Sequence, residues 1–178
     1  MPVQFGDVVL VHGEEFLSNL IRVVTRSYWS HAMLALEGGW FAQMGQSGFT
    51  ISRVPLNRPI AVLRHPSLLN PYTREAQQIM NRIRATIDYL RKNPPQFDYY
   101  NFFRLGVKLV QEQMAVSVAG KKMGPFVCSA LVDYVYEQAG IDLQPDQDPR
   151  DTTPANLAEL GFGDNPVFKV VYASKKSR

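Results

Sequence analysis

The chain has one cysteine, Cys128, in the stretch GPFVCSALVDYVYEQAG from Gly124 to Gly140. The periodicity after it predicts a helix, so the thiol falls at a first helical turn behind a Gly-Pro break. Free N–H groups and the macrodipole at a helix start favour a thiolate over a thiol. The plainer alternative is a small buried hydrophobe, which is how a free cysteine usually packs. A thiol hydrolase also needs a base, a group to orient that base, and donors for a developing oxyanion. Three histidines supply candidate bases. His12 ends an apolar run beside Gly13 and His65 precedes Pro66, positions that suit a structural or exposed ring. His31, in SYWSHAMLALEGG, heads an expected strand behind an aromatic pair and a serine. No second cysteine and no ligand spacing among the histidines point to a metal, and none is expected. GKKMG lacks the spacing and strand context of a phosphate loop, so no cofactor is expected either.

The elements that must position these residues change period along the chain. DVVLVHG (Asp7 to Gly13) reads as a strand. Glu15 to Arg26 has Phe16, Leu20, Val23 and Val24 at helical spacing. SHAMLALEGGWFAQM splits at Gly38-Gly39 into a hairpin, and FTISRVPL and IAVLRH read as further strands broken by Pro55 and Pro59. From Thr73 to Asn93 the apolar positions Ala76, Ile79, Met80, Ile83, Ile87 and Leu90 predict a helix with Thr73 as N-cap and a stop at Asn93-Pro94-Pro95. Phe102 to Met114 suggests a short helix and Ala115 to Gly124 a loop. After the Cys128 helix come a turn-rich stretch, a short helix opened by Thr153-Pro154, and a last strand in PVFKVVYA. Strands first and helices later, with no repeat, predict a single α+β domain over 1–178, its core spanning about 5–172.

These segments in this order carry a resemblance. GDVVLV, SHAMLALEGGWFAQM, FDYYNF, FVCSALVDYVYEQAGIDL and TTPANLAEL resemble the circularly permuted papain-like hydrolases of the NlpC-type superfamily, which include YiiX-like proteins and lecithin retinol acyltransferase relatives. The resemblance runs from about Phe5 to Leu160. It implies a permuted papain-like fold: an antiparallel sheet packed on helices, with the nucleophile at a helix N-terminus and the histidine earlier in the chain. It assigns Cys128 as nucleophile, His31 as base and Gln43, on the second hairpin strand, as the residue that orients His31. An amide orients a ring in this way without supplying charge to an imidazolium. Glu37 is the fallback for that role. Tyr99 stands in doubtfully for a tyrosine where this chain has Phe97. Asp7, after Gly6, is expected to cap or orient the first turn rather than meet substrate. Ser129 is expected to serve the helix start, and the Cys128 N–H to donate to the oxyanion.

The expected activity is a cysteine hydrolase or acyltransferase working through a thioester on acyl-ester (lipid) or amide bonds. A peptidoglycan-type amidase or endopeptidase is the alternative within the class, and a non-catalytic binding domain the alternative outside it. The stretch EEFLSNLIRVVTRSYW is amphipathic and leaves peripheral membrane contact open; a helix covering the sheet explains it as well. Apolar residues make up 46% and charged residues 20%, an ordinary globular balance. The net charge is +3, much of it in the tail SKKSR (Ser174 to Arg178), expected to be frayed and solvated. Despite a pI near 9.0, the basic residues are dispersed without an aromatic-basic stripe, which argues against nucleic acid. No secretory signal is evident, so the chain is expected to start in the cytoplasm, with signal-independent export left open. The oligomeric state is not readable from the sequence.

Overall fold

A computed structural model describes residues 3–13, 27–45, 48–54, 56–95 and 128–174. The helices expected at Glu15–Arg26 and Phe102–Met114, and the loop at Ala115–Gly124, lie outside the described residues. Six strands and three helices are present among those described: β1 (Val8–Val11), β2 (His31–Ala35), β3 (Phe41–Gly45), β4 (Gly48–Ser52), β5 (Ile60–Arg64), α1 (Arg74–Lys92), α2 (Cys128–Gln138), α3 (Pro154–Phe162) and β6 (Lys169–Ala173). The strands form one sheet in the order β4-β3-β2-β1-β5-β6, every neighbouring pair antiparallel. The chain is α+β. Among the described residues no helix is long and apolar enough to cross a membrane.

Strand alternation divides the apolar residues between two faces. Val8, Leu10, Ala32, Leu34, Ala42, Met44, Ala61 and Leu63 pack with the helices in the main core. Val9, Met33, Ala35, Phe41, Ile60 and Val62 form a second buried cluster on the opposite face. Helix α1 buries Ala76, Ile79, Met80, Ile83, Ile87 and Leu90, the six positions its sequence period selects. Thr73 caps it, its hydroxyl accepting from the Ala76 N–H at 3.1 Å. Each fully buried aliphatic side chain on this stripe is worth about 1.5–3 kcal/mol. Helix α2 is buried on nearly all sides, from Cys128 to Tyr136, because it runs between the sheet and the segments that follow it. Pro154 begins α3, with Thr153 and Asn156 exchanging side-chain-to-backbone bonds as a reciprocal cap.

The predicted tight turn of the β2–β3 hairpin is a single 3₁₀ turn over Glu37–Gly39, in which Gly38 and Gly39 take φ of 66° and 77°. Two adjacent left-handed residues explain the glycine pair. Strand β4 stops at Ser52, short of Pro55, and β6 starts only at Lys169. Ser174, expected to begin a frayed tail, is instead held to the sheet. Its N–H donates to the Ile60 carbonyl at 2.9 Å, and its hydroxyl accepts from the Ile60 N–H at 3.0 Å. The end of β5 has unpaired backbone groups there, and Ser174 satisfies both.

Candidate active site

His31 is the first residue of β2, opposite Val11 of β1. Its approach is fixed on both sides: the Ser30 hydroxyl accepts from the Gly13 N–H at 2.8 Å, and Trp29 is buried in the main core. The Ala35 N–H donates to the Asp7 carbonyl at 2.8 Å, so by antiparallel alternation Leu34 and Ala32 direct their N–H groups towards β3. Leu34 has a partner there, Ala42. The β2–β3 pairing covers only Leu34–Ala42 and Ala35–Phe41, so Ala32 has no strand partner on that side. Its N–H instead helps hold the Cys128 thiol below its ordinary value. The first residue of α2 thus fills a seam where two strands part.

The sulfur receives three kinds of support. Burial alone pushes the Cys128 thiol up. The His31 ring, by charge and by a hydrogen bond, and the N–H groups of Ala32 and Ser129 outweigh that, so the thiol lies below its ordinary value. A thiol lowered in spite of burial differs from an ordinary core cysteine, whose surroundings push it up. Cys128 and His31, far apart in the chain, are in direct contact.

Gln43 completes the group. Extending the Leu34–Ala42 register by one pair sets it opposite Met33, diagonal to His31 and on the same face. Its Oε1 lies 2.9 Å from His31 Nε2. An amide oxygen only accepts, so this contact requires the ring proton on Nε2 and leaves Nδ1 for the sulfur. The Gln43 Nε2 in turn donates to the Ser52 hydroxyl at 2.9 Å. Ser52 was not singled out in the sequence. The signal that finds it is the β3–β4 register, which pairs Phe41 with Ser52 and Gln43 with Thr50, placing Ser52 on the Gln43 face.

The remaining candidates are elsewhere. Glu37, the fallback to Gln43, sits exposed on the hairpin turn and pairs with Arg84 at 2.8 Å. Six residues of extended chain separate it from His31, roughly 20 Å at the usual rise, so it cannot orient the ring. Asp7 is fully buried and takes both Arg64 Nε (2.7 Å) and Nη2 (2.8 Å), while also accepting from the Gln4 N–H at 2.8 Å. It holds the first turn, with no open face for a substrate. Tyr136 adds to that corner by donating to the Gly6 carbonyl at 2.5 Å. Gly6 has φ of 86°, and a Cβ there would meet Leu68 at 2.8 Å, so any other residue would be strained and would displace Leu68. Tyr99 lies outside the described residues. His12 bonds through Nδ1 with the Tyr28 carbonyl at 2.7 Å and stacks on the Tyr28 ring. His65 caps a short turn, accepting from the Ser67 N–H.

Two further features are found, one on the Cys128 helix and one by the β2–β3 hairpin turn. The Ser129 hydroxyl donates to the Thr152 carbonyl at 2.6 Å, and the Thr152 hydroxyl donates to the buried Asp133, which also accepts from Gln144 at 3.1 Å. These bonds clamp the segment after α2 onto the Cys128 helix. By the hairpin turn, a groove of about 820 Å3 has the apolar walls Phe5, Leu36, Trp40, Phe49, Ile51 and Ile87 and the charged lining Glu37, Arg84, Asp88 and Arg91. No protein-family profile matches this chain, and no curated protein matches it.

Proposed function

We propose that the protein is a thiol acyl hydrolase of permuted papain-like fold that works through a thioester, with Cys128 as nucleophile, His31 as base and Gln43 as the residue that orients His31. One observation carries this reading: a buried thiol held below its ordinary value by a histidine that is itself bonded to an amide oxygen. In the reaction the Cys128 thiol gives its proton to His31 Nδ1, the sulfur attacks the acyl carbonyl carbon, and the carbonyl π pair moves to the oxygen. The Cys128 N–H, at the first residue of α2, is the donor assigned to that oxyanion. As the carbon–oxygen or carbon–nitrogen bond breaks, His31 gives its Nδ1 proton to the leaving group. Water then attacks the thioester, His31 takes the water's proton, and the sulfur departs as thiolate.

The resemblance to permuted relatives that handle lipid acyl groups puts acyl-ester ahead of amide substrates. Incubation with phospholipid vesicles and, separately, with purified peptidoglycan tests this, with Cys128→Ala as control. Cysteine-dependent release of fatty acid or lysolipid is expected. Release of peptide fragments alone would replace the acyl ester by an amide. With neither product, the site would be a binding site that retains the geometry.

A further inference from the structure

We propose that Ser52 is a positioning residue for His31, acting through the side-chain amide of Gln43; the proposal rests on the thiol hydrolase reading above. The three residues cross β2, β3 and β4 diagonally on one face, with His31 Nε2 to Gln43 Oε1 at 2.9 Å and Gln43 Nε2 to Ser52 Oγ at 2.9 Å. A primary amide has two ends of nearly equal shape and opposite chemistry. With Oε1 towards the ring, Nε2 of His31 keeps its proton and Nδ1 faces the sulfur ready to receive one. With the amide reversed, an N–H faces Nε2. The neutral ring must then carry its proton on Nδ1, where it cannot take the proton of the thiol. The charged ring would set N–H against N–H, so the imidazolium–thiolate pair exists only with the oxygen inward. That orientation turns the amide NH2 outward to the edge strand, and Ser52 is the acceptor that receives it there. The charged ring selects the amide orientation, and the Ser52 hydroxyl, by accepting from Gln43 Nε2, holds the amide in place against the ring.

The readout is the rate of iodoacetamide alkylation of Cys128 against pH, which is unambiguous in a chain with one cysteine. Ser52→Ala should lower the rate at pH 6.5 by roughly fivefold, the equilibrium worth of one neutral hydrogen bond, and move the profile to higher pH. Ser52→Thr, which keeps the hydroxyl, should restore it. The decisive comparison is Ser52→Ala on a Gln43→Ala background, where no amide is left to hold and the loss should shrink to less than about twofold. An equal loss in both backgrounds would mean that Ser52 acts through packing of β4 alone, and no loss in either would remove its role; both overturn the proposal. Failure of the parent reading has a different signature: a wild-type thiol that titrates like a free cysteine and ignores His31→Ala. The proposal would fall with it.

Discussion

Replacing Asp7 by alanine should cost the protein a large share of its stability and none of its thiol chemistry. Asp7 is 0% exposed and Arg64 7%. The pair is bidentate, with the third bond to Asp7 coming from the Gln4 N–H. The Asp7 hydrogen bond is the main reason the Arg64 guanidinium is held above its ordinary value. Removing the carboxylate leaves that charge buried without a partner, a loss of about 3–5 kcal/mol. Against a typical total of about 5–15 kcal/mol this is about a fifth of the whole at the least. For a chain of this size it is a fall of about 6–20 °C in Tm. Urea titration followed by tryptophan fluorescence measures it, since Trp29 is buried in the main core. The double replacement Asp7→Leu/Arg64→Met should cost less than Asp7→Ala alone, because it removes both charges. Alkylation of Cys128 in folded Asp7→Ala should keep its wild-type pH profile. A loss under 1 kcal/mol would refute the buried-pair argument. An altered profile in the folded variant would return Asp7 to the active site.

Other perturbations separate the parts of the site. His31→Ala removes the ring's charge and its hydrogen bond, so burial dominates and the alkylation profile of Cys128 should move to higher pH; an unmoved profile would leave the helix start as the sole cause. Gln43→Ala should lower turnover by about tenfold or more while leaving the urea midpoint nearly unchanged, as expected for a group that orients a base. Asp133→Ala strands Thr152 and Gln144 and should cost about 1–3 kcal/mol, read by the same titration. Burial holds His65 below its ordinary value, with Glu75 opposing weakly. Its neutral form therefore contributes stability that is present above about pH 6.5 and lost as pH falls through the folded value. In His65→Asn, which keeps a cap for Ser67, the drop in Tm between pH 7 and pH 5 should be smaller than in wild type.

Helix α1 was legible because one period, one cap and one stop agree: six apolar positions, Thr73, and Asn93 before two prolines. The strands were legible to within two or three residues because glycine and proline punctuate them, though Pro55 shortened β4 and the glycine pair widened the hairpin turn. The meeting of Cys128 and His31 was not readable from spacing. It depends on where β2 and β3 stop pairing, and only the resemblance brought the two residues together. Glu37 attracted notice as a carboxylate, but a residue at the turn of a hairpin lies at the opposite end from the strand's first residue. Ser52 and the Asp133 network were invisible for another reason. Each joins residues whose proximity depends on a register or on a turn-rich segment folding back, and neither leaves a periodic trace.

The uneven stitching of the sheet has a mechanical consequence. Strands β1 and β2 share four residue pairs and β3 and β4 share five, but β2 and β3 share two. Compliance is therefore concentrated at one joint. The Leu34 amide should exchange with solvent ahead of its neighbours in β1, and the β3–β4 ribbon should pivot as one piece. Such a swing would carry Gln43 and Ser52 together away from the ring, while β1 keeps His31 and Ala32 beside the sulfur. The sheet would lose its hold on the ring's proton well before it lost its fold.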